Sequence, residues 1–310
     1  MARNKKGTPI HGWLNLDKPQ GLTSTQALGR VRRILNAQKL GHAGTLDPLA
    51  TGVLPIALGE ATKTISFMQD SDKVYSFTIT WGEARNTDDS EGEVIAKSDK
   101  RPTKEQIESL LPRFTGDIFQ TPPKFSAIKV DGERAYDLSR AGEDVQLVSR
   151  PVSIYSLKLL TAGPDSAKLE MECGKGTYVR SLARDMGELL GCFGYISALR
   201  RLAVGHFSEN SAIPLDEFEK MVLSSAPDRY LLPVETALDD IPALAVTGDE
   251  ISRIRQGQTI KLLSRQDLGR LDVAGIDDET GLILAIGDSR PIALLEKRGI
   301  ELCPVRLFNL

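Results

Sequence analysis

Apolar residues recur along this chain with two distinct periods. In residues 74–81, Tyr75, Phe77, Ile79 and Trp81 alternate with Ser76, Thr78 and Thr80, the period of a half-buried strand. Ala167, Leu169, Met171 and Cys173 alternate with Lys168, Glu170 and Glu172, which predicts a second strand. Between residues 23 and 36 the period lengthens. Leu28, Val31, Ile34 and Leu35 form the stripe of an amphipathic helix, Thr23 and Gln26 fit a capping box, and Arg30, Arg32 and Arg33 point away from the stripe. Residues 12–19 read as a short strand ended by Lys18-Pro19, and residues 103–113 as a helix. Residues 85–92 read as the polar loop of a hairpin, and residues 120–123 break the pattern. A helix is expected over residues 177–190, capped by Thr177 and closed by Gly191.

At 310 residues, two domains are the natural division. The pattern loosens over residues 233–242, as a linker does. Beyond it, short apolar runs alternate with turns at Gly257, Gly269, Gly275, Gly281 and Gly287, a spacing that suits a small β-barrel. The expected division is a basic tail (1–11), a catalytic domain (12–236) and a C-terminal domain (243–310).

Composition removes several classes. No apolar run approaches a membrane span, and the first residues lead into no signal-type segment. Cys173, Cys192 and Cys303 lie far apart, which suits reduced thiols in a cytoplasmic protein better than disulfides or a zinc site. His11, His42 and His206 are too scattered for a metal cluster. Residues 174–177 lack the glycine and Lys-Ser/Thr pair of a P-loop, and no dinucleotide fingerprint or nucleophile elbow occurs, so no nucleotide cofactor has a visible seat. The net charge is −3, yet residues 1–40 hold eight basic side chains against Asp17 alone, whereas residues 237–310 hold nine basic against twelve acidic. That asymmetry suggests an anion-binding surface on an acidic body, with a solubilising tail and a solvated helix face as the plainer reading.

The chemistry concentrates in residues 41–54, where His42 and Asp47 stand among three glycines directly after the basic helix. An Asp before Pro is held out of the α region, so Asp47 has a defined direction. Alone it reads more readily as an Asx-turn residue or a helix cap than as a nucleophile. Arg180 falls in the first turn of its helix, where a cation opposes the helix dipole. It belongs either to a surface ladder with Arg184 and Glu188, or to a bidentate pair with Asp47 that lowers the carboxylate's pKa. Tyr75 and His42 offer flat rings, the first also readable as core and the second as a hydrogen-bonding loop residue. Leu199 reads as core.

Taken together, the segments Trp13–Ser24, Gly41–Gly52, Lys73-Val74-Tyr75, Pro122–Lys129, Gly176–Leu182 and Ala198-Leu199-Arg200-Arg201 resemble the TruB-type tRNA pseudouridine synthases, in family order across residues 12–206. The resemblance implies an α+β fold: a mixed, largely antiparallel central sheet flanked by helices, followed by a small PUA-like RNA-binding barrel. It implies isomerisation of uridine to pseudouridine at position 55 in the T-loop of tRNA, by base flipping and with no metal or organic cofactor. Asp47 would be the nucleophile, attacking either base or sugar, with Tyr75 and Arg180 as its catalytic companions. His42, Leu199, Lys18 and Asp89 would bind substrate, and the basic N-terminal segment would meet phosphates. A monomer acting on the T-arm with no protein partner is expected. Three departures stand out: Ala43 replaces the family's Thr or Gly, the hairpin over residues 86–92 is shortened, and the C-terminal domain is acidic. The alternatives are a dyskerin-like guide-RNA-dependent synthase, a catalytically idle tRNA-folding chaperone, and an aspartate-nucleophile hydrolase. The last would need a second acidic motif that the chain lacks.

Overall fold

The computed structural model describes residues 7–126, 128–130, 133–134, 147–224, 226 and 229–310. Arg3, Lys5 and Lys6 of the basic tail and Ala127 of the 122–129 segment lie outside the described residues. Ten strands form the main sheet: β1 (Gly12–Lys18), β2 (Leu40–His42), β3 (Thr51–Leu58), β4 (Lys73–Trp81), β5 (Gly116–Gln120), β6 (Arg150–Ala162), β7 (Ser166–Cys173), β8 (Gly194–Val204), β9 (Phe207–Ser208) and β10 (Ile213–Pro214). Their order is β10-β1-β3-β8-β4-β7-β6-β5, with β2 on β3 and β9 on β8. Only β1–β10 and β3–β8 pair in parallel, so the sheet is mixed and largely antiparallel, as expected.

The two alternating segments become neighbouring strands. β4 pairs with β7 and β8, and Phe77, Ile79, Trp81, Ala167, Leu169 and Met171 enter one continuous core. Helix α1 (Ser24–Leu35) starts at the Thr23–Gln26 capping box and ends at Asn36 in the left-handed region. It buries Ala27, Val31 and Leu35 and leaves Arg30, Arg32 and Arg33 exposed. Helix α2 (Val179–Leu189) packs on β8 through Leu182, Ala183 and Met186.

The predicted cap at Thr177 is not used. The Thr177 hydroxyl donates to Gly174 O at 3.2 Å, and Tyr178 is the N-cap. Gln120 brackets the Tyr178 peptide instead, accepting from its N–H at 2.7 Å and donating to its carbonyl at 3.0 Å.

The C-terminal segment forms a second sheet of five strands, β11 (Ala243–Ala245), β12 (Ile260–Lys261), β13 (Leu282–Gly287), β14 (Arg290–Arg298) and β15 (Glu301–Leu307), in the order β11-β13-β14-β15-β12. It carries two helices that the glycine spacing does not announce, Gly248–Arg255 and Arg265–Val273. Residues 233–242 are not a loose tether. Val234–Leu238 is a 3₁₀ turn whose Val234, Ala237 and Leu238 are buried. They share an apolar cluster with Trp13 and Phe207 of the main body, with Leu284 and Leu294 of the second sheet, and with Phe308 just beyond β15. Among the described residues no helix is long and apolar enough to cross a membrane.

Candidate active site

Asp47 projects from the turn between β2 and β3, and that turn is fixed from α1. The buried Ser24 hydroxyl accepts from Leu46 N–H at 2.8 Å and donates to Leu46 O at 3.1 Å. Gly21 N–H donates to Pro48 O at 2.8 Å, and Leu46 and Leu49 are buried beneath. The segment Gly21–Ser24 therefore holds the residues on both sides of Asp47 in one geometry.

Arg180 faces it. The guanidinium is sealed (6% exposed) and its Nε lies 2.9 Å from Asp47 Oδ2, while 36% of the Asp47 side chain remains open to solvent. Nη1 donates to Thr87 O and Nη2 to Phe125 O, both at 3.0 Å, and Nη1 lies 3.7 Å from Asp89 Oδ2. The expected bidentate pair is thus replaced by a fork that ties three chain segments to one carboxylate. A cation in the first turn of α2 opposes the helix dipole, and Asp47 and Asp89 offset it.

The expected Arg180–Arg184–Glu188 ladder is also absent. Arg184 turns to the hairpin formed by Glu83–Arg85 and Val94–Lys97, pairing with Asp88 at 3.1 Å, and to its neighbour Asp185 at 2.9 Å. Asp89, in the loop of that hairpin, is buried and accepts from Thr87 Oγ1 at 2.6 Å and Glu91 N–H at 3.1 Å.

Lys18 is wholly buried at the end of β1, its ammonium donating to Pro19 O at 2.9 Å and Leu22 O at 2.6 Å. The structure directs it inward, under the Asp47 loop, and not toward a surface phosphate. Tyr75 is half-buried on β4, directly across from Arg201, and Leu199 is buried across from Phe77. His42 ends β2, and its buried Nδ1 has no hydrogen-bond partner.

Burial dominates the electrostatics. It raises the Asp47 pKa above the ordinary carboxylate value against the pull of Arg180 and Lys18, with Asp89 adding repulsion. It lowers Lys18 to about 8, against the opposing charges of Asp47 and Glu91. It raises the Tyr75 phenol, which Arg201 draws back, and lowers His42. Asp88 is pushed up to about 6 by burial in spite of Arg184. Beside Lys18 and Thr51 a groove of about 900 Å³ runs along α1, with Arg30 and Arg33 on its wall. Among the described residues no cluster of His, Cys, Asp or Glu is placed to hold a metal ion.

Ser24, Gln120, Asp88 and Arg201 join the site without any local pattern that marks them as working residues. Each acts through backbone groups or charges distant in sequence, and only the recognised motifs around Ser24 and Arg201 hinted at two of them.

A mixed, largely antiparallel sheet that brings the sealed Arg180 guanidinium against the partly open Asp47 carboxylate has the form of an enzyme site. Residues 32–179 match the family described as TruB family pseudouridylate synthase (N terminal domain), and residues 180–239 match the tRNA pseudouridylate synthase B C-terminal domain. The chain is 54% identical over 312 residues to a tRNA pseudouridine synthase B of Caulobacter sp. (strain K31), covering 100% of both chains. It is 55% identical over 311 residues to that of Caulobacter vibrioides, again covering 100% of both. In fold it is similar to a chain in an H/ACA ribonucleoprotein bound to a substrate RNA containing 2′-deoxyuridine (TM-score 0.70, 20% identity, covering 100% of this chain and 92% of that one). A chain in a Cbf5–Nop10–Gar1 complex is equally similar (TM-score 0.70, 22% identity, covering 100% and 91%). The chain belongs to the TruB family of pseudouridylate synthases.

Proposed function

We propose that this enzyme converts uridine to pseudouridine at position 55 in the T-loop of tRNA, with Asp47 as nucleophile on a base flipped from its stack. The names carried by relatives more than 50% identical over the whole chain support tRNA as substrate. The observation that carries the mechanism is the 2.9 Å Arg180–Asp47 contact, which holds one carboxylate in a desolvated pit open on one side. In the reaction the C1′–N1 bond breaks, a C1′–C5 bond forms, the C5 proton leaves to solvent, and N1 takes up a proton in its place. A base stacked in the T-loop reaches such a pit only by flipping.

Tyr75 stacks on the flipped base and Leu199 walls it. His42, at the rim, fills the space that the base leaves. Lys18 and Asp89 act on the Asp47 carboxylate with opposite sign. Arg30, Arg32 and Arg33 are exposed and, among the described residues, engage no carboxylate, which suits phosphate contacts and a salt-dependent affinity. The C-terminal sheet serves as a PUA-like RNA-binding unit against the acceptor side. The enzyme acts in the cytoplasm as a monomer.

Tritium release from tRNA labelled at uridine C5 tests this reading. Asp47→Ala should bind tRNA within about threefold of the parent yet release no tritium. Full turnover by that variant removes Asp47 as nucleophile. A T-arm hairpin alone should be turned over, and its failure as substrate would point to recognition beyond the T-arm.

A further inference from the structure

Arg201 is 1% exposed, one of the largest fully buried side chains in the protein. Its neighbour Arg200 is bound by Asp17 at 2.9 Å and Glu209 at 2.8 Å. Among the described residues no carboxylate lies within ion-pair distance of Arg201. A sealed cation without a counter-charge costs the fold desolvation free energy, so a stabilising role does not account for it.

Its position is specific. On β8 it lies opposite Gly52 of β3 and opposite Tyr75 of β4, joining the strand that leaves the Asp47 loop to the strand that carries the tyrosine. The guanidinium Nε donates to Val53 O at 2.8 Å and Nη2 to Gly44 O at 3.4 Å, so it grips the loop on both sides of Asp47. Directly across the strand pair from Tyr75, its charge opposes the effect of burial on the phenol. Its charge further acts on Lys18 of β1, His42 of β2 and Lys73 of β4.

We propose that Arg201 is a positioning residue of the isomerase site: it holds the Tyr75 strand and the Asp47 loop in one register, so that phenol and carboxylate meet the flipped base together. This rests on Tyr75 and Asp47 serving the reaction as proposed above. Because no carboxylate neutralises it, the guanidinium stays available to the Tyr75 phenol oxygen across the strand pair.

Arg201→Lys and Arg201→Gln, each alone and combined with Tyr75→Phe, provide the test. Single-turnover tritium release, tRNA binding and the titration of Tyr75 by ¹³Cζ-tyrosine NMR are measured on each. The rate should fall about 30-fold with binding within about threefold, less for Lys than for Gln, as misplacement of reacting groups predicts. The Tyr75 phenol should titrate at higher pH than in the parent, and the Arg201 change should add little on the Tyr75→Phe background. Multiplicative losses together with an unmoved titration overturn the proposal, since a sheet brace would behave that way. Where Tyr75→Phe is too slow to time, the titration decides alone. If neither Arg201 variant folds while Tyr75→Phe does, Arg201 is a requirement of the fold and the proposal fails. Parent-like turnover by Tyr75→Phe is a different failure, because it removes the assignment of Tyr75 itself. A slow Tyr75→Phe beside fast Arg201 variants removes only the role of Arg201.

Discussion

Ser24 meets the peptide groups of Leu46 twice, accepting from its N–H at 2.8 Å and donating to its carbonyl at 3.1 Å, one residue before the Asp47 that Arg180 engages. Both partners are buried, so removing the hydroxyl leaves two backbone groups unpaired. Ser24→Ala is predicted to destabilise the protein by about 2 kcal/mol in urea titrations. It should also slow single-turnover tritium release by about tenfold or more, because Asp47 loses its fixed direction. A stable variant with an unchanged rate would show that the turn holds itself.

Arg180→Lys should separate charge from shape. One ammonium keeps the positive charge but does not span Asp47, Thr87 O and Phe125 O, which the guanidinium joins within 3.0 Å each. The rate is predicted to fall about 100-fold while tRNA affinity changes by less than about threefold. Filter binding and single-turnover kinetics on the same preparation check the split. Equal losses in both would assign Arg180 to binding.

What was legible in the sequence was local. The Thr23–Gln26 capping box and the apolar stripe lie within one helix, and the alternation in β4 lies within one strand, so both survived folding intact. The capping boxes at Thr247–Glu250 and Ser264–Asp267 were equally local, but Gly248 and Gly269 inside short helices hid them among turn glycines. The site is different in kind. Ser24 and Leu46 lie 22 residues apart, Gln120 and Tyr178 58, and Val53 and Arg201 148. Side chains that satisfy distant backbone groups leave no period to read. Arg180 stands out in the sequence because a first-turn cation breaks a local rule, and only the fold supplies the carbonyls that divide its fork.

Asp88 makes stability depend on pH in a defined direction. Its carboxyl is pushed up to about 6 from an ordinary value of 3.8, so the folded state binds the proton more tightly than the unfolded chain does. The stabilising contribution is therefore fully present below pH 3.8 and is lost as pH rises through about 6. Asp88→Asn carries no such dependence. Between pH 4 and pH 7 the parent should lose up to about 3 kcal/mol relative to this variant in urea titrations. A difference between the two proteins that stays flat over that range would mean the Arg184 pair holds Asp88 ionised throughout.

Gly52 and Gly21 make a controlled comparison of close approach with backbone strain. Both adopt positive φ, +100° and +82°. A Cβ on Gly21 meets nothing within 4 Å, whereas one on Gly52 falls 2.2 Å from the Arg201 carbonyl oxygen. Gly21→Ala should therefore cost only the left-handed backbone, about 1 kcal/mol. Gly52→Ala must in addition push β3 away from β8, along which Arg201 reaches the loop, and should cost about 3 kcal/mol or more. Thermal and urea unfolding of the two variants measure the difference. Tritium release should fall for Gly52→Ala well beyond any loss for Gly21→Ala, because the strand that moves is the one leaving Asp47. Equal costs would mean that backbone conformation alone selects glycine at position 52, and that the contact between the two strands tolerates a methyl group.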